Sequence, residues 1–361
     1  MNPIKVLVVD DSAFMRQTIK AMIEEDPMLQ VIATARDGKD AIDKLLRFQP
    51  DVVTLDIILP GDQDGLDVLH EIMKLQPTPT IMVSGASDEN ANYVIEAISS
   101  GAFDFIFKPS GKLHNVAEIE HELQQKIKQA VISKRRPVNE KEIFKKHDWQ
   151  SPAQHKVSQN DSKTCKPIIL IGTSTGGPKA LQSVVPSLSS QLPAPILIVQ
   201  HMPPRFTRSL AERLNRMSEI TVTEAVDGEL LMNGRGYVAP GGRHLCVEED
   251  AQKKLIVRLS DAPPVNAVRP SIDVTLQSLA ALHDYCYIIS ILTGMGKDGA
   301  KGVGALYDTG QPVHVIAESE ETCTVFGMPK AVIETGYVNE VQPLDQVAKA
   351  VCSQFGLRGD E

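Results

Sequence analysis

Ser174 lies in Gly172-Thr173-Ser174-Thr175-Gly176, a G-x-S-x-G pattern between the apolar run Ile168–Ile171 and a helical pattern opening at Pro178. The glycines permit a tight turn that presents the hydroxyl outward. The N–H groups that follow lie at a helix start, which favours negative charge. A phosphate loop is excluded: Lys179 follows Pro178 and precedes Ala180, where that loop needs Gly-Lys and then Ser or Thr. A nucleophilic serine requires a base, and the base an orienting acid. Among nine histidines, His201 ends the apolar run Ile196–Val199, on the rim that Ser174 occupies. His244, in a Gly-rich β segment, is the second candidate, and a single histidine at a strand end is more often structural than catalytic. Asp298 sits in the turn LTGMGKDG, which follows a third apolar run, Tyr287–Leu292. Three strands thus deliver Ser174, His201 and Asp298 to one crevice. Their chain order, Ser-His-Asp, differs from the Ser-acid-His order of α/β-hydrolases. The turn Gly294-Met295-Gly296 adds backbone donors for an oxyanion.

A second group of residues lies near the N-terminus. Asp10 and Asp11 end the first apolar run, Asp56 ends the third, Ser84 the fourth, and Lys108 follows the fifth. Carboxylates converging on one rim repel each other unless a cation intervenes, and a small set of hard oxygens suits Mg2+. A hydroxyl and an ammonium beside it would meet an arriving anion. Together these residues suit phosphoryl transfer onto Asp56.

These positions require strands that end on one edge. The apolar runs Ile4–Val9, Val31–Ala35, Val52–Ile57, Thr80–Val83 and Phe103–Phe107 alternate with helical patterns, which predicts a five-stranded, doubly wound, flavodoxin-like parallel sheet. Val116, Ile119, Leu123, Ile127 and Val131 predict one apolar stripe on a following helix, with Asn115 as its cap. Residues 134–166 are polar and basic and read as a linker, with Trp149 inside it. From Pro167 the strand-helix rhythm resumes. Between Thr221 and Val257, Gly turns and short β segments predict a small antiparallel insertion in a second, mainly parallel α/β domain. The expected division is 1–124, a helical extension and linker at 125–165, and 166–358.

Composition excludes several classes. A formal net charge of −9 gives no counterion-release gain on a polyanion, so no nucleic-acid partner is expected. No apolar run reaches the roughly 18 residues of a membrane span, so no insertion is expected. No secretory leader is expected before the first strand. Five scattered cysteines, without a C-x-x-C pair, predict reduced thiols and a cytoplasmic protein.

The strand-end set of residues 3–124 resembles the response-regulator receiver family. The segments GTSTGGP, QHMPPRFTRSLAERLN, YVAPGGRHL, RPSIDVTLQSLA, LTGMGKDG and VFGMPKAV, spanning most of 167–340, resemble the catalytic domain of the chemotaxis protein-glutamate methylesterases, the CheB family. The resemblance implies a phospho-acceptor at Asp56, Mg2+ on Asp10, Asp11 and Asp56, and switching roles for Ser84 and Lys108. It implies a nucleophile at Ser174, a base at His201, an orienting acid at Asp298, and Thr175 and Met295 lining the site. The implied substrates are glutamate γ-methyl esters on cytoplasmic chemoreceptor helices, with glutamine deamidation in some members. The implied phosphodonor is the chemotaxis histidine kinase, and the receiver gates the esterase. Three positions depart from the pattern: one extra residue in DIILPGDQDG, Ile58 where a polar group is frequent, and Phe326 where a bulkier aromatic is common. A non-enzymatic signalling adaptor, a DNA-binding regulator and an esterase for another protein are the competing readings. Acidity and the absence of a basic recognition helix count against the second of these.

Overall fold

The computed structural model describes residues 2–85, 87–108, 116–134 and 165–357 and divides the chain into two units, Met1–Val138 and Asn139–Glu361. Asn115, Trp149 and the linker expected at 134–166 lie, apart from the residues at its two ends, outside the described residues.

The first unit alternates β1 (Ile4–Val9), α1 (Ala13–Glu24), β2 (Leu29–Ala35), α2 (Gly38–Phe48), β3 (Val52–Asp56), α3 (Gly65–Leu75), β4 (Thr80–Ser84), α4 (Asp88–Ser99), β5 (Asp104–Phe107) and α5 (Val116–Lys134). Its strands pair in parallel in the order β2-β1-β3-β4-β5. β3 and β4 are buried along their whole length, which is why they are nearly continuous apolar runs. On α5, Ile119, Leu123, Ile127 and Val131 are buried against the sheet core, but Val116 is exposed. The first residue of the expected stripe therefore lies off it.

The second unit carries β6 (Lys166–Thr173), α6 (Gly177–Val184), β7 (Ile196–Gln200), α7 (Phe206–Met217), β8 (Thr221–Glu224), β9 (Arg235–Val238), β10 (His244–Glu249), β11 (Leu255–Ser260), α8 (Ile272–Ala280), β12 (Tyr285–Ile291), α9 (Ala300–Asp308), β13 (Val313–Glu318), α10 (Met328–Ile333), β14 (Glu340–Gln342) and α11 (Leu344–Ser353). Seven strands form one parallel sheet in the order β14-β13-β12-β6-β7-β9-β8. The antiparallel insertion is narrower than expected. Among the described strands only β10 and β11 pair that way, while β8 and β9 join the parallel sheet at its edge.

From β6 the chain builds outward through β7 in one direction and later through β12 and β13 in the other. The reversal lies between β6 and β12, and the carboxyl ends flanking such a reversal form the crevice where ligands bind in open α/β sheets. Ser174 follows β6, and the turn carrying Asp298 follows β12.

The expectation of five reduced thiols is corrected. Cys165, just before β6, is bonded to Cys286 of β12, with the Cα atoms 5.7 Å apart. The β6–β12 register sets Cys286 opposite Pro167, so residues 121 apart in sequence become neighbours. Among the described residues, Cys246, Cys323 and Cys352 form no disulfide. Cysteine usage therefore no longer argues for a reducing compartment.

Candidate active site

Ser174 and His201 are each the first residue beyond a strand, one step past the Thr173–Gln200 register pair. His201 N–H donates to Thr173 O at 3.1 Å. His201 Nε2 lies 2.8 Å from Asp298 Oδ2, with both side chains nearly buried. An ionised Asp298 can only accept, so Nε2 carries the proton and Nδ1 is the basic nitrogen. Among the described residues no hydrogen bond joins Ser174 Oγ to the imidazole. The structure therefore brings His201 and Asp298 into contact and sets Ser174 beside them on the neighbouring strand, unbonded, as is frequent in unliganded sites.

The Ser174 turn is fixed mainly through its backbone. Ser174 N–H donates to Thr293 O at 3.0 Å, and Gly177 N–H donates to Ser174 O at 2.7 Å. Thr293 Oγ1 donates to Thr175 O at 2.9 Å, while Thr293 N–H donates to the buried Glu318 carboxylate at 2.8 Å. Burial pushes the Glu318 carboxyl up, opposed by the donors Thr293 and Thr322. Two glycines are dictated by crowding. A Cβ on Gly176, at φ 77°, would meet Thr324 at 2.4 Å, and one on Gly294 would meet Met328 Sδ at 2.4 Å and Ser174 Cβ at 2.8 Å. Among the described residues, neither Thr175 N–H nor Met295 N–H has a backbone acceptor. Both remain able to donate to an oxyanion.

Asp298 accepts from Asn266 Nδ2 at 2.9 Å, Ser271 Oγ at 2.8 Å, Ile272 N–H at 2.6 Å and Asp273 N–H at 3.2 Å, besides His201. Burial alone would raise its carboxyl. The hydrogen bond and charge of His201, with the donors Ser271 and Ile272, instead hold it well below its ordinary value. His244, the second candidate base, is fully buried and packs behind this shell. Its Nδ1 accepts from Ser271 N–H at 3.2 Å and its Nε2 lies 3.1 Å from Pro263 O. His314 is paired with Glu340 at 2.9 Å.

Gln200, Asn266 and Thr293 were not identified from residue type. Gln200 is 2% exposed. Its Nε2 donates at 3.0 Å to both Ser174 O and His201 O, and its Oε1 accepts from Thr173 Oγ1 at 2.6 Å. Its position beside His201 was the available signal. Gln200→Leu leaves His201 O and Thr173 Oγ1 without these partners. At roughly 1–3 kcal/mol per unsatisfied buried group, the two groups should destabilise this domain by about 2–6 kcal/mol. Urea unfolding measures the loss.

In the first unit, the oxygens of Asp10, Asp11 and Asp56 can all lie within 4.8 Å of one another. Lys108 Nζ is 2.5 Å from Asp56 Oδ2 and 3.0 Å from Asp10 Oδ2; the second contact is an ion pair without hydrogen-bond geometry. Burial pushes the Asp56 carboxyl up to about 6, against the opposing hydrogen bond and charge of Lys108. Ser84 Oγ donates to Gly85 O at 2.9 Å. In the loop DIILPGDQDG, Asp64 is the cap of α3, in a reciprocal box with Asp67. A Cβ on Gly65 would meet Asp56 O at 2.2 Å, so only glycine lets α3 start this close to the acidic edge. Ile58 is 62% exposed.

A family model described as CheB methylesterase matches residues 169–351, and one described as response regulator receiver domain matches residues 6–120. A protein of Geobacillus kaustophilus named protein-glutamate methylesterase/protein-glutamine glutaminase is 44% identical over 358 residues, covering 99% of this chain and 100% of that one. A protein of Symbiobacterium thermophilum with the same name is 43% identical over 365 residues, covering 98% of each. The solved catalytic domain of Thermotoga maritima CheB methylesterase is 46% identical, covering 52% of this chain and 97% of that one, with a TM-score of 0.49. The receiver-like and esterase-like halves read from strand ends are thus matched together, end to end, in single relatives. The chain belongs to the CheB methylesterase family, carboxylic ester hydrolases of chemotaxis that here carry a response-regulator receiver domain.

Proposed function

We propose that the chain hydrolyses glutamate γ-methyl esters on the cytoplasmic helices of chemoreceptors, by a Ser174-His201-Asp298 mechanism activated by phosphorylation of Asp56. The observation that carries this reading is the 2.8 Å His201–Asp298 pair beside Ser174 at the β6/β12 reversal. Ser174 Oγ attacks the ester carbonyl carbon while His201 Nδ1 takes its proton. Asp298 holds the imidazole and stabilises its charged form. The oxyanion is met by the N–H groups of Thr175 and Met295, each such donor being worth about 3–4 kcal/mol. The C–O bond to methoxide then breaks, and His201 returns the proton to release methanol. Water, deprotonated by His201, cleaves the acyl-serine and leaves a glutamate carboxylate. The relatives' name also includes glutaminase. In that reaction a glutamine side chain acylates Ser174 in the same way and ammonia leaves.

In the receiver, Asp56 accepts the phosphoryl group from the chemotaxis histidine kinase. Asp10, Asp11 and Asp56 offer hard oxygens to Mg2+, and this fit rests on their mutual proximity. Bound there, the ion would neutralise charge on the phosphoryl oxygens. Lys108 adds a second positive charge, and the Ser84 hydroxyl turns from Gly85 O to the product. The phosphoryl group brings roughly −1.5 to −2 charge, the change that biases the two domain states.

No helix among the described residues is long and apolar enough to cross a membrane. The proposed place of action is the cytoplasm, where these receptor helices lie. The test is methanol release from methyl-labelled receptor membranes, with and without a small phosphodonor. Release should rise with the phosphodonor in wild type and stay at the basal rate in Asp56→Asn. Equal stimulation of that variant overturns the phospho-switch, and no release from receptor membranes under either condition overturns the substrate.

A further inference from the structure

α8 and α9 are capped by each other's carboxylates. The N-cap residues Ser271 and Gly299 make no side-chain bond to their own helices. Asp298, just before α9, instead accepts from Ile272 and Asp273 N–H at the start of α8. Asp273, on α8, accepts from Gly299 and Gly302 N–H at the start of α9, at 2.9 and 2.7 Å. This exchange fixes the orienting acid but sets two buried carboxylates side by side. Burial and the neighbouring Asp298 charge both push the Asp273 carboxyl up.

One donor spans the pair. Asn266 Nδ2 lies 3.0 Å from Asp273 Oδ2 and 2.9 Å from Asp298 Oδ1. An amide nitrogen carries two protons, one for each carboxylate. Asn266 itself is exposed and reaches inward from a two-residue turn. Val265 N–H donates to Val268 O at 3.1 Å and Val268 N–H to Val265 O at 3.0 Å, while Asn266 and Ala267 stand at φ 53° and 63°. A turn with positive φ at both central residues favours Asn followed by Gly, so Ala267 holds an unfavourable conformation. The turn keeps its shape despite that residue and delivers the amide to the carboxylates.

We propose that Asn266 is a positioning residue of the esterase: by bridging Asp273 and Asp298 it locks the carboxylate that orients His201. This rests on the Ser174-His201-Asp298 reading and names a fourth member of that site. The titratable groups around the amide are Asp273 of α8, Asp298 of the β12–α9 turn and, beyond Asp298, His201 after β7 and His244 behind Ser271.

Two variants of the full chain separate this role from simple support of the turn. Asn266→Gly and Asn266→Asp both tolerate a left-handed backbone, and both remove the amide donor. Each is assayed for methanol release from methylated receptor membranes, across the pH range in which wild type is active. Misplacing catalytic groups typically costs up to two orders of magnitude, so kcat should fall roughly ten- to a hundredfold, with KM changed less than about twofold. Asn266→Asp adds a third carboxylate and should be the slower variant at neutral pH. Its rate relative to wild type should rise as pH falls, because a protonated carboxyl can again donate. Wild-type kcat in Asn266→Gly, a KM rise at unchanged kcat, or a pH-independent Asn266→Asp deficit overturns the proposal. Should Asn266→Asp not fold, Asn266→Gly decides alone. Ser174→Ala is run alongside: activity there fails the triad reading, whereas an inactive Ser174→Ala with a fully active Asn266→Gly fails only the role of Asn266.

Discussion

Ser174→Ala is expected to lower kcat for methanol release by a factor on the order of 10^6, the scale seen when a serine hydrolase loses its nucleophile. The fold should hardly notice. The bonds that anchor this turn run from Ser174 N–H to Thr293 O and to Ser174 O from Gly177 and Gln200, and alanine keeps all of them. Thermal unfolding should therefore shift by no more than the roughly 0.5 kcal/mol typical of neutral substitutions. Substrate binding should also persist, so the variant should still compete with wild type for methylated receptor membranes. Residual turnover within tenfold of wild type would mean that another nucleophile, or water itself, attacks the ester.

Asp298→Asn should produce the second largest loss, roughly 10^4 in kcat, because an amide at this position can hold the wrong imidazole tautomer. This variant should also lose stability. Asp298 accepts from Asn266, Ser271, Ile272, Asp273 and His201. The single amide oxygen cannot serve both sides of that set, and the amide N–H groups would face donors. The pH dependence has a definite sign. The Asp298 carboxyl is depressed below its ordinary value of 3.8 in the folded state. Its contribution is thus full above that value and is lost as pH falls below it toward the depressed one. The stability gap between wild type and Asp298→Asn should accordingly be widest at neutral pH and narrow under acid conditions, which urea unfolding at several pH values would show.

Much of the architecture was legible because both sheets bury their strands on two faces. A doubly covered parallel strand is a nearly continuous apolar run, and β3, β4, β6, β7 and β12 read that way. Functional groups at the carboxyl ends of such runs share one edge, so Ser174, His201 and Asp298 could be associated across more than a hundred residues. Pairing at the sheet edge was not legible. β8 and β9 have four residues each, too few to show whether they pair in parallel with β7 or antiparallel with each other. The residues that support the site were hidden for a different reason. Gln200, Asn266 and Asp273 are ordinary polar residues whose importance comes from partners brought near by β6–β7 register and by the packing of α8 on α9. The Cys165–Cys286 bond is of the same kind, since it follows from β6–β12 pairing and not from cysteine spacing.

The central claim is that Ser174 is a nucleophile made reactive by His201. A fluorophosphonate probe tests it most directly, because it reports activation without requiring the receptor substrate. Intact wild type, Ser174→Ala and His201→Ala are labelled, digested and mapped by mass spectrometry. One adduct on the peptide bearing Ser174 in wild type, absent from both variants, is the predicted result. Label on a different serine, or undiminished label at Ser174 in His201→Ala, would contradict it.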